Sequence, residues 1–344
     1  MDNLAHALAG AALGQAGLKT RTRFGMAALI VAANLPDVDA LGLFFGENLA
    51  WRRGWTHGPV AMLVLPPLLV AALVFLDKWQ RRRRTPPPGQ PAVNIGWLFA
   101  LVYIGWASHP LLDFMNTYGI RLLMPFSERW FYGDVLFIID PWLWIALALG
   151  VWLAARRWRR GMAHPGRPAW VALGLLCCYA MAMGASSVAA ERLTRQAAEA
   201  RGHGPIRAAV ASPVPIDPFR REVVFATDSA YGFGELRWTP FPELRLDPGL
   251  IPTNMDDPAI RQARQTKEIA DFLYWSRLPF ATVDRRSDST IVTIADARYA
   301  RGPGSGTFVR KVRLPPASLP HQPERTPQRP QPDQEHDGKR RQIE

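Results

Sequence analysis

Long apolar runs, separated by short basic clusters, constrain this chain more than any other feature. Six apolar segments occupy the first 190 residues, at roughly 4–18, 24–45, 58–76, 95–115, 135–155 and 169–190. A helix needs about 20 apolar residues to cross about 30 Å of hydrocarbon, and the third, fifth and sixth segments meet that length. The first is short. The second reaches polar Asn34, Pro36, Asp37 and Asp39 after about a dozen apolar residues, which at about 1.5 Å per residue covers only about 20 Å. Both are expected to tilt, thin the bilayer or end in a protein-lined cavity. The expected architecture is a membrane all-α helical bundle of about six segments (residues 1–190), then a small soluble α+β domain (191–314) and a disordered tail (315–344).

The mean hydropathy of −0.06 conceals this division, because the last 150 residues are polar, charged and rich in proline. Much of the net charge of +12 sits in clusters beside apolar runs: Lys19 to Arg23, Arg81 to Arg84 and Arg156 to Arg160. That is the signature of loops retained on the cytoplasmic side of a membrane. It argues against nucleic acid as the partner of a basic chain and for the lipid bilayer. Two spans between successive clusters are self-consistent. They place the N-terminus outside if segment one spans, and carry the C-terminal domain outside, which in a Gram-negative cell is the periplasm. The rival arrangement lays segment one flat in the interface. Residues 1–18 lack the basic start of a secretory signal peptide. Cys177 and Cys178, adjacent in an apolar run, imply neither a disulfide framework nor a thiolate metal site. Trp51, Trp55 and Trp130 read as interface anchors. There is no internal repeat.

Beyond Glu191, residues 222–228 and 231–238 read as a hairpin and 279–285, 290–299 and 307–314 as strands. Asp256-Asp257-Pro258 marks a helix start, with the helix running to about Trp275. From Pro315 onward almost nothing is apolar, and the tail is expected to be disordered.

Polar residues within membrane segments are costly and need a reason. His6, Asp37, Asp39, His57, His109, Asp113, Asp134 and Asp140 all map to the outer side of the expected topology, a convergence that scattered structural residues have no cause to show. His109 and Asp113 are four apart and share a helix face, which Asn116 extends. Imidazole nitrogen and carboxylate oxygen are zinc-type ligands, so this pair is a preformed half-site. Pro36 before Asp37 and Asp39 suits a bend aiming both carboxylates inward. Each residue also has a plainer reading. A lone buried His usually bonds the backbone, Asp39 suits a helix cap, and His57 suits a helix start. For Asp140 before Pro141 the N-cap reading is preferred. His164 and His203 read as solvated.

The runs Asn34-Leu35-Pro36-Asp37-Val38-Asp39, Arg53-Gly54-Trp55-Thr56-His57-Gly58 and His109-Pro110-Leu111-Leu112-Asp113-Phe114-Met115-Asn116-Thr117-Tyr118-Gly119, with His6 and Arg129-Trp130-Phe131-Tyr132-Gly133-Asp134, carry a resemblance. Together they resemble the LexA-regulated, membrane-bound predicted metal-dependent hydrolases of bacteria, over about residues 1–190. Tyr274-Trp275-Ser276-Arg277-Leu278-Pro279-Phe280 extends the resemblance into the outer domain. The ligand order is also similar to that of zinc-dependent phospholipase C. By that likeness His6 serves one zinc, Asp37 (or Asp39), His57 and His109 a second, and Asp113 bridges them. A third metal site lacks its His. Arg52 stands where many relatives have a His. The resemblance implies a stress-response setting, Zn2+ (one or two ions, or another divalent metal) and hydrolysis of phosphoesters or lipid-type esters. Asp37 or Asp39 would be the general base, and Arg53, Asn116 and Asp134 would lie toward the substrate, a lipid or lipid-linked phosphate. Two other readings stay open: a catalytically inactive membrane scaffold with a structural metal site, and a metal or solute transporter. The oligomeric state is not legible.

Overall fold

The computed structural model describes residues 1–45, 51–83, 90–302 and 306–316. Arg84 and the tail from residue 317 lie outside the described residues.

The N-terminal half is helical. In order come α1 (Asn3–Gln15), a 3-10 turn (Leu18–Thr20), α2 (Gly25–Asn34) continued by 3-10 turns (Leu35–Phe45), α3 (Pro59–Arg83), α4 (Ile95–Phe114), α5 (Pro141–Arg159) and α6 (Arg167–Ala200). Among the described residues four helical segments are long and apolar enough to cross a membrane: Gly25–Gly42, Pro59–Arg83, Ile95–Phe114 and Arg167–Ala200. Of the six apolar segments expected, α1 and α5 fall short of that length and composition. α1 has 13 residues, about 20 Å of helix. α5 ends in Arg156, Arg157 and Arg159, which lower its apolar content. Exposed Leu63, Leu68 and Phe75 on α3 and Met181 on α6 form the apolar outer surface that hydrocarbon requires.

α1 is the centre of the bundle, touching α2, α4, α5 and α6. Asp2 caps it by accepting from the Leu4 and Ala5 amides at 3.0 and 3.2 Å. Its wholly buried Ala5 and Ala12 let neighbouring helices approach closely, the usual role of small residues in membrane bundles. Gly105 does the same for α4, since a Cβ there would lie 2.7 Å from the Leu29 carbonyl of α2.

The basic clusters gather at one end of the bundle. Lys19 donates to Gln15 Oε1 at 2.7 Å and sits over the Trp158 ring at 4.6 Å. Asp77, buried near the end of α3, accepts from both Arg23 and Arg81. His109 and Asp113 lie toward the opposite end of α4.

α6 is continuous for 34 residues, about 51 Å, and its last turns pack Ala190 and Ala198 against Phe225 and Leu236 of the C-terminal domain. That domain holds two antiparallel sheets. The first, in order β1-β2-β3-β4, comprises β1 (Ala208–Pro213), β2 (Arg220–Ala226), β3 (Ala230–Arg237) and β4 (Glu243–Pro252). After α7 (Pro258–Ala263) and α8 (Lys267–Trp275), β5 (Pro279–Arg285), β6 (Thr290–Asp296) and β7 (Val309–Leu314) form the second. The hairpin and three later strands match the sequence reading, while β1 and β4 were not anticipated. The single helix expected from Asp257 to Trp275 is two helices. Asp257 caps the first by accepting from the Ala259 amide at 2.8 Å. The break follows at Thr266, whose hydroxyl donates to the Ala263 carbonyl at 2.7 Å, a local bond that competes with helix continuation.

Candidate metal centre

The last turn of α4 presents His109 and Asp113, both wholly buried, to the end of α2. His109 Nδ1 lies 2.7 Å from the Ala33 carbonyl. A carbonyl only accepts, so Nδ1 carries the proton and Nε2 is left with its lone pair. His57, just before α3, is turned the same way. Its Nδ1 faces Thr56 Oγ1 at 2.9 Å and Asp39 Oδ2 at 3.6 Å, which places its proton toward the carboxylate. Burial pushes the His57 imidazole down to about 4, so it is neutral at ordinary pH.

Three electron-pair donors therefore point at one another. His57 Nε2 and His109 Nε2 are 3.1 Å apart, and Asp113 Oδ2 is 3.5 Å from each. Asp113 Oδ2 accepts no well-aligned hydrogen bond. Metal–ligand bonds of about 2.0–2.1 Å in tetrahedral geometry put neighbouring ligand atoms about 3.4 Å apart, so these atoms have the spacing of one face of a zinc-type site. Asp37 Oδ1, 3.8 Å from His109 Nε2, is the candidate fourth donor. His6 stacks on His109 with ring centroids 3.7 Å apart. Its Nε2 lies 3.4 Å from Asp113 Oδ1, and its buried Nδ1 has no hydrogen-bond partner. The amino group of Met1 also contacts Asp113.

Two donor groups result, His6 with His109 and Asp113, and Asp37 with His57 and His109. They overlap at His109, whose only free nitrogen can serve one ion at a time. All five candidate ligands, drawn from distant parts of the chain, thus meet in one buried cluster.

Asp37 and Asp39 are brought inward by the 3-10 turns after Pro36. Both are buried, and both are engaged by Arg52, which donates to Asp39 Oδ1 at 2.8 Å and to Asp37 Oδ1 at 3.3 Å. The side chain of Arg52, 20% exposed, is the cation at the rim of the cluster. Sequence reasoning treated it only as a departure from a His. Arg53, expected to face the substrate, is 2% exposed and faces inward. Its Nε is 3.1 Å from Asp113 Oδ2, its Nη1 donates to Asn116 Oδ1 at 2.8 Å, and its backbone amide donates to Asp39 Oδ2 at 2.7 Å. Asn116 holds this arginine and the turn after α4, its Oδ1 also accepting from the Tyr118 amide at 2.9 Å.

Asp134 is not in the cluster. It pairs with Arg277 of the C-terminal sheet domain at 2.7 Å. Asp140 caps α5, accepting from the Trp142 and Leu143 amides. Trp130, expected as an interface anchor, instead packs edge-on against Tyr118 and Tyr274, because the C-terminal sheet domain covers this loop. There Arg298 Nη1 donates to the Thr117 carbonyl at 2.6 Å and Trp275 Nε1 to the Tyr118 carbonyl at 3.2 Å. Arg121 bridges the Arg52 carbonyl and the Tyr274 hydroxyl at 3.0 and 2.8 Å. The loop behind the cluster is thereby tied to the sheet domain.

A family model described as YdjM inner membrane protein matches residues 1–191, the stretch that supplies every residue of the cluster. No curated protein and no solved structure matches the chain.

Proposed function

This chain belongs to the YdjM inner membrane protein family, and on that premise we propose that it is a membrane-bound, metal-dependent hydrolase of phosphoesters or lipid-type esters. The observation that carries the reading is the convergence of the His57, His109 and Asp113 lone pairs at 3.1 and 3.5 Å. A divalent ion held there, with zinc the natural choice for nitrogen and oxygen donors, would acidify a water molecule and polarise an ester oxygen. His57, His109, Asp113 and Asp37 or His6 would hold the ion. Asp37, near His109 Nε2, is the candidate to take the proton of the attacking water, with Asp39 as the alternative. Arg52 orients an anionic substrate oxygen by exchanging its carboxylate partners for it. We assign the cluster and the sheet domain to the periplasmic side, since the basic clusters lie at the other end of the bundle.

The wholly buried Leu29, Leu98, Leu101 and Val102 fill the space between α2 and α4 below the cluster. That apolar plug disfavours an ion path through the bundle. A structural metal site without turnover is supported by one observation, that Arg52 already occupies both candidate bases.

Elemental analysis of the detergent-purified protein tests the proposal. About one zinc per chain is expected, because the donor groups share one nitrogen of His109. The double variant His109→Ala/Asp113→Ala should lose it. Absence of metal from wild type purified without chelator would sink the metal reading. Metal retention without hydrolysis across a screen of phospho- and lipid esters would leave the structural site.

A further inference from the structure

We propose that the groove between α5 and α6, at the basic end of the bundle, binds an anionic phospholipid of the surrounding bilayer. This site is remote from the metal cluster and does not depend on it. The groove encloses about 390 Å³. Its walls are apolar, formed chiefly by Leu149, Leu153, Val171 and Leu175, and its end carries Arg157 and Arg167. The four apolar residues are all exposed, so they face whatever surrounds the bundle.

The groove lies beside the closest approach of α5 and α6. Gly150 lies so close to Ala172 that a Cβ on it would come within 2.4 Å of the Ala172 Cβ. Outside that contact the larger side chains splay apart and leave a slot. From Arg157 to Leu149, or from Arg167 to Leu175, the slot is about 12 Å deep at about 1.5 Å per residue. That is close to the depth of one leaflet, half of about 30 Å of hydrocarbon. An acyl chain lying in the slot thus leaves its head group level with the arginines.

The charges at that end favour an anion. Between Asp140 and Glu191 the chain has five arginines, at positions 156, 157, 159, 160 and 167, and no carboxylate. Arg157 Nη2 donates to the Ala163 carbonyl at 2.9 Å, whereas its Nε is buried and has no partner. A buried, unpaired guanidinium N–H is costly unless an acceptor is supplied. α6 begins at Arg167 with no acidic residue in its first turn, so no carboxylate there offsets the positive end of its dipole. Trp152 and Trp170 flank the arginines and are exposed, as aromatic side chains are at the level of lipid head groups. A basic pocket between membrane helices, with an apolar slot running from it, matches a phosphate head with its acyl chain.

Native mass spectrometry of the full chain in detergent, titrated with phosphatidylglycerol or phosphatidylethanolamine, tests the proposal. Wild type should retain phosphatidylglycerol in preference to phosphatidylethanolamine. The Arg157→Gln/Arg167→Gln variant should bind phosphatidylglycerol about 30-fold more weakly, from about 1 kcal/mol per arginine. Should that variant fail to fold, Val171→Trp decides instead. It fills the slot from an exposed position, keeps every charge and should also lose the lipid. Arg159→Gln/Arg160→Gln, outside the groove, should retain it. Inorganic phosphate at millimolar concentration should not displace the lipid. Equal retention of the two lipids by wild type, full retention by either groove variant, or displacement by phosphate alone would each overturn the proposal.

Discussion

Asp296 shows how a carboxylate is kept charged in an interior. It is wholly buried, yet Oδ2 accepts from Ser276 Oγ at 2.6 Å and from the Arg277 amide and Arg298 Nη2 at 2.9 Å. Oδ1 accepts from the Arg298 amide and Nε at 2.9 Å. Burial alone would raise its pKa, but adjacent Arg298 and these hydrogen bonds hold the carboxyl below its usual range. Its folded form is thus the ionised one. The stability it contributes is present above the unfolded value of about 3.9 and is lost as pH falls below it. Asp296→Asn should destabilise the sheet domain by about 3–5 kcal/mol, because Arg298 is left buried without its counter-ion. The same variant should flatten the acid limb of stability. Denaturant unfolding between pH 3 and pH 7 checks both. In the bundle, Asp140→Ala removes an N-cap and the Tyr179 hydroxyl's acceptor at 3.0 Å. A loss of about 1 kcal/mol is expected for the cap alone, read as a lowered melting temperature with metal content unchanged.

At the scale of elements, the cluster depends on where α2 and α4 cross. His109 is oriented by the Ala33 carbonyl of α2, and the two helices meet at Gly105 against Leu29. Gly105→Val should push them apart, because the clash is with main chain and cannot be relieved by a rotamer change. Metal content should fall together with thermal stability in this variant. His57→Ala, by contrast, should lower metal content at nearly unchanged melting temperature. If Gly105→Val bound metal as wild type does, the crossing would not be what aims the imidazole. The turn after α4 is a second support. Asn116 holds Arg53, and Arg298 and Trp275 hold the neighbouring carbonyls, so the sheet domain stiffens the far wall of the cluster.

For the molecule as a whole, opposite ends carry opposite chemistry. Lys19, Arg23, Arg81 and Trp158 meet at one end, while the His/Asp cluster and the sheet domain lie at the other. The proposed topology puts the sheet domain outside the cytoplasm. With Cys177 and Cys178 replaced by Ala, an Asp217→Cys variant should react with a membrane-impermeant maleimide once the outer membrane is permeabilised. Arg159→Cys should react only after the inner membrane is broken. The reverse pattern would invert the topology and put the cluster on the cytoplasmic side.

Much of this was legible in the sequence because it is written in local pattern. Helical segments follow from apolar runs, the Asp140 and Asp257 caps from an acidic residue before proline, and the sharing of a face by His109 and Asp113 from their spacing. The candidate ligands stood out because their residue types are expensive in a membrane and therefore conspicuous. The apolar runs overstated the number of candidate spans, since α1 has only 13 residues and α5 ends in Arg156, Arg157 and Arg159. Strand β1 went unseen because Ala208-Ala209-Val210-Ala211 has little strand propensity of its own and is ordered by pairing with β2, and β4 because Asp247-Pro248-Gly249 interrupts it at an irregularity in its pairing with β3. Only the tertiary structure could decide that Arg52 faces the two carboxylates, that Arg53 turns inward, and that Asp134 pairs with Arg277 of the sheet domain. Adjacent side chains on a loop carry no signal of direction. Which of them meets a given carboxylate is fixed by packing among segments more than 50 residues apart, as in the contact of Arg53 with Asn116.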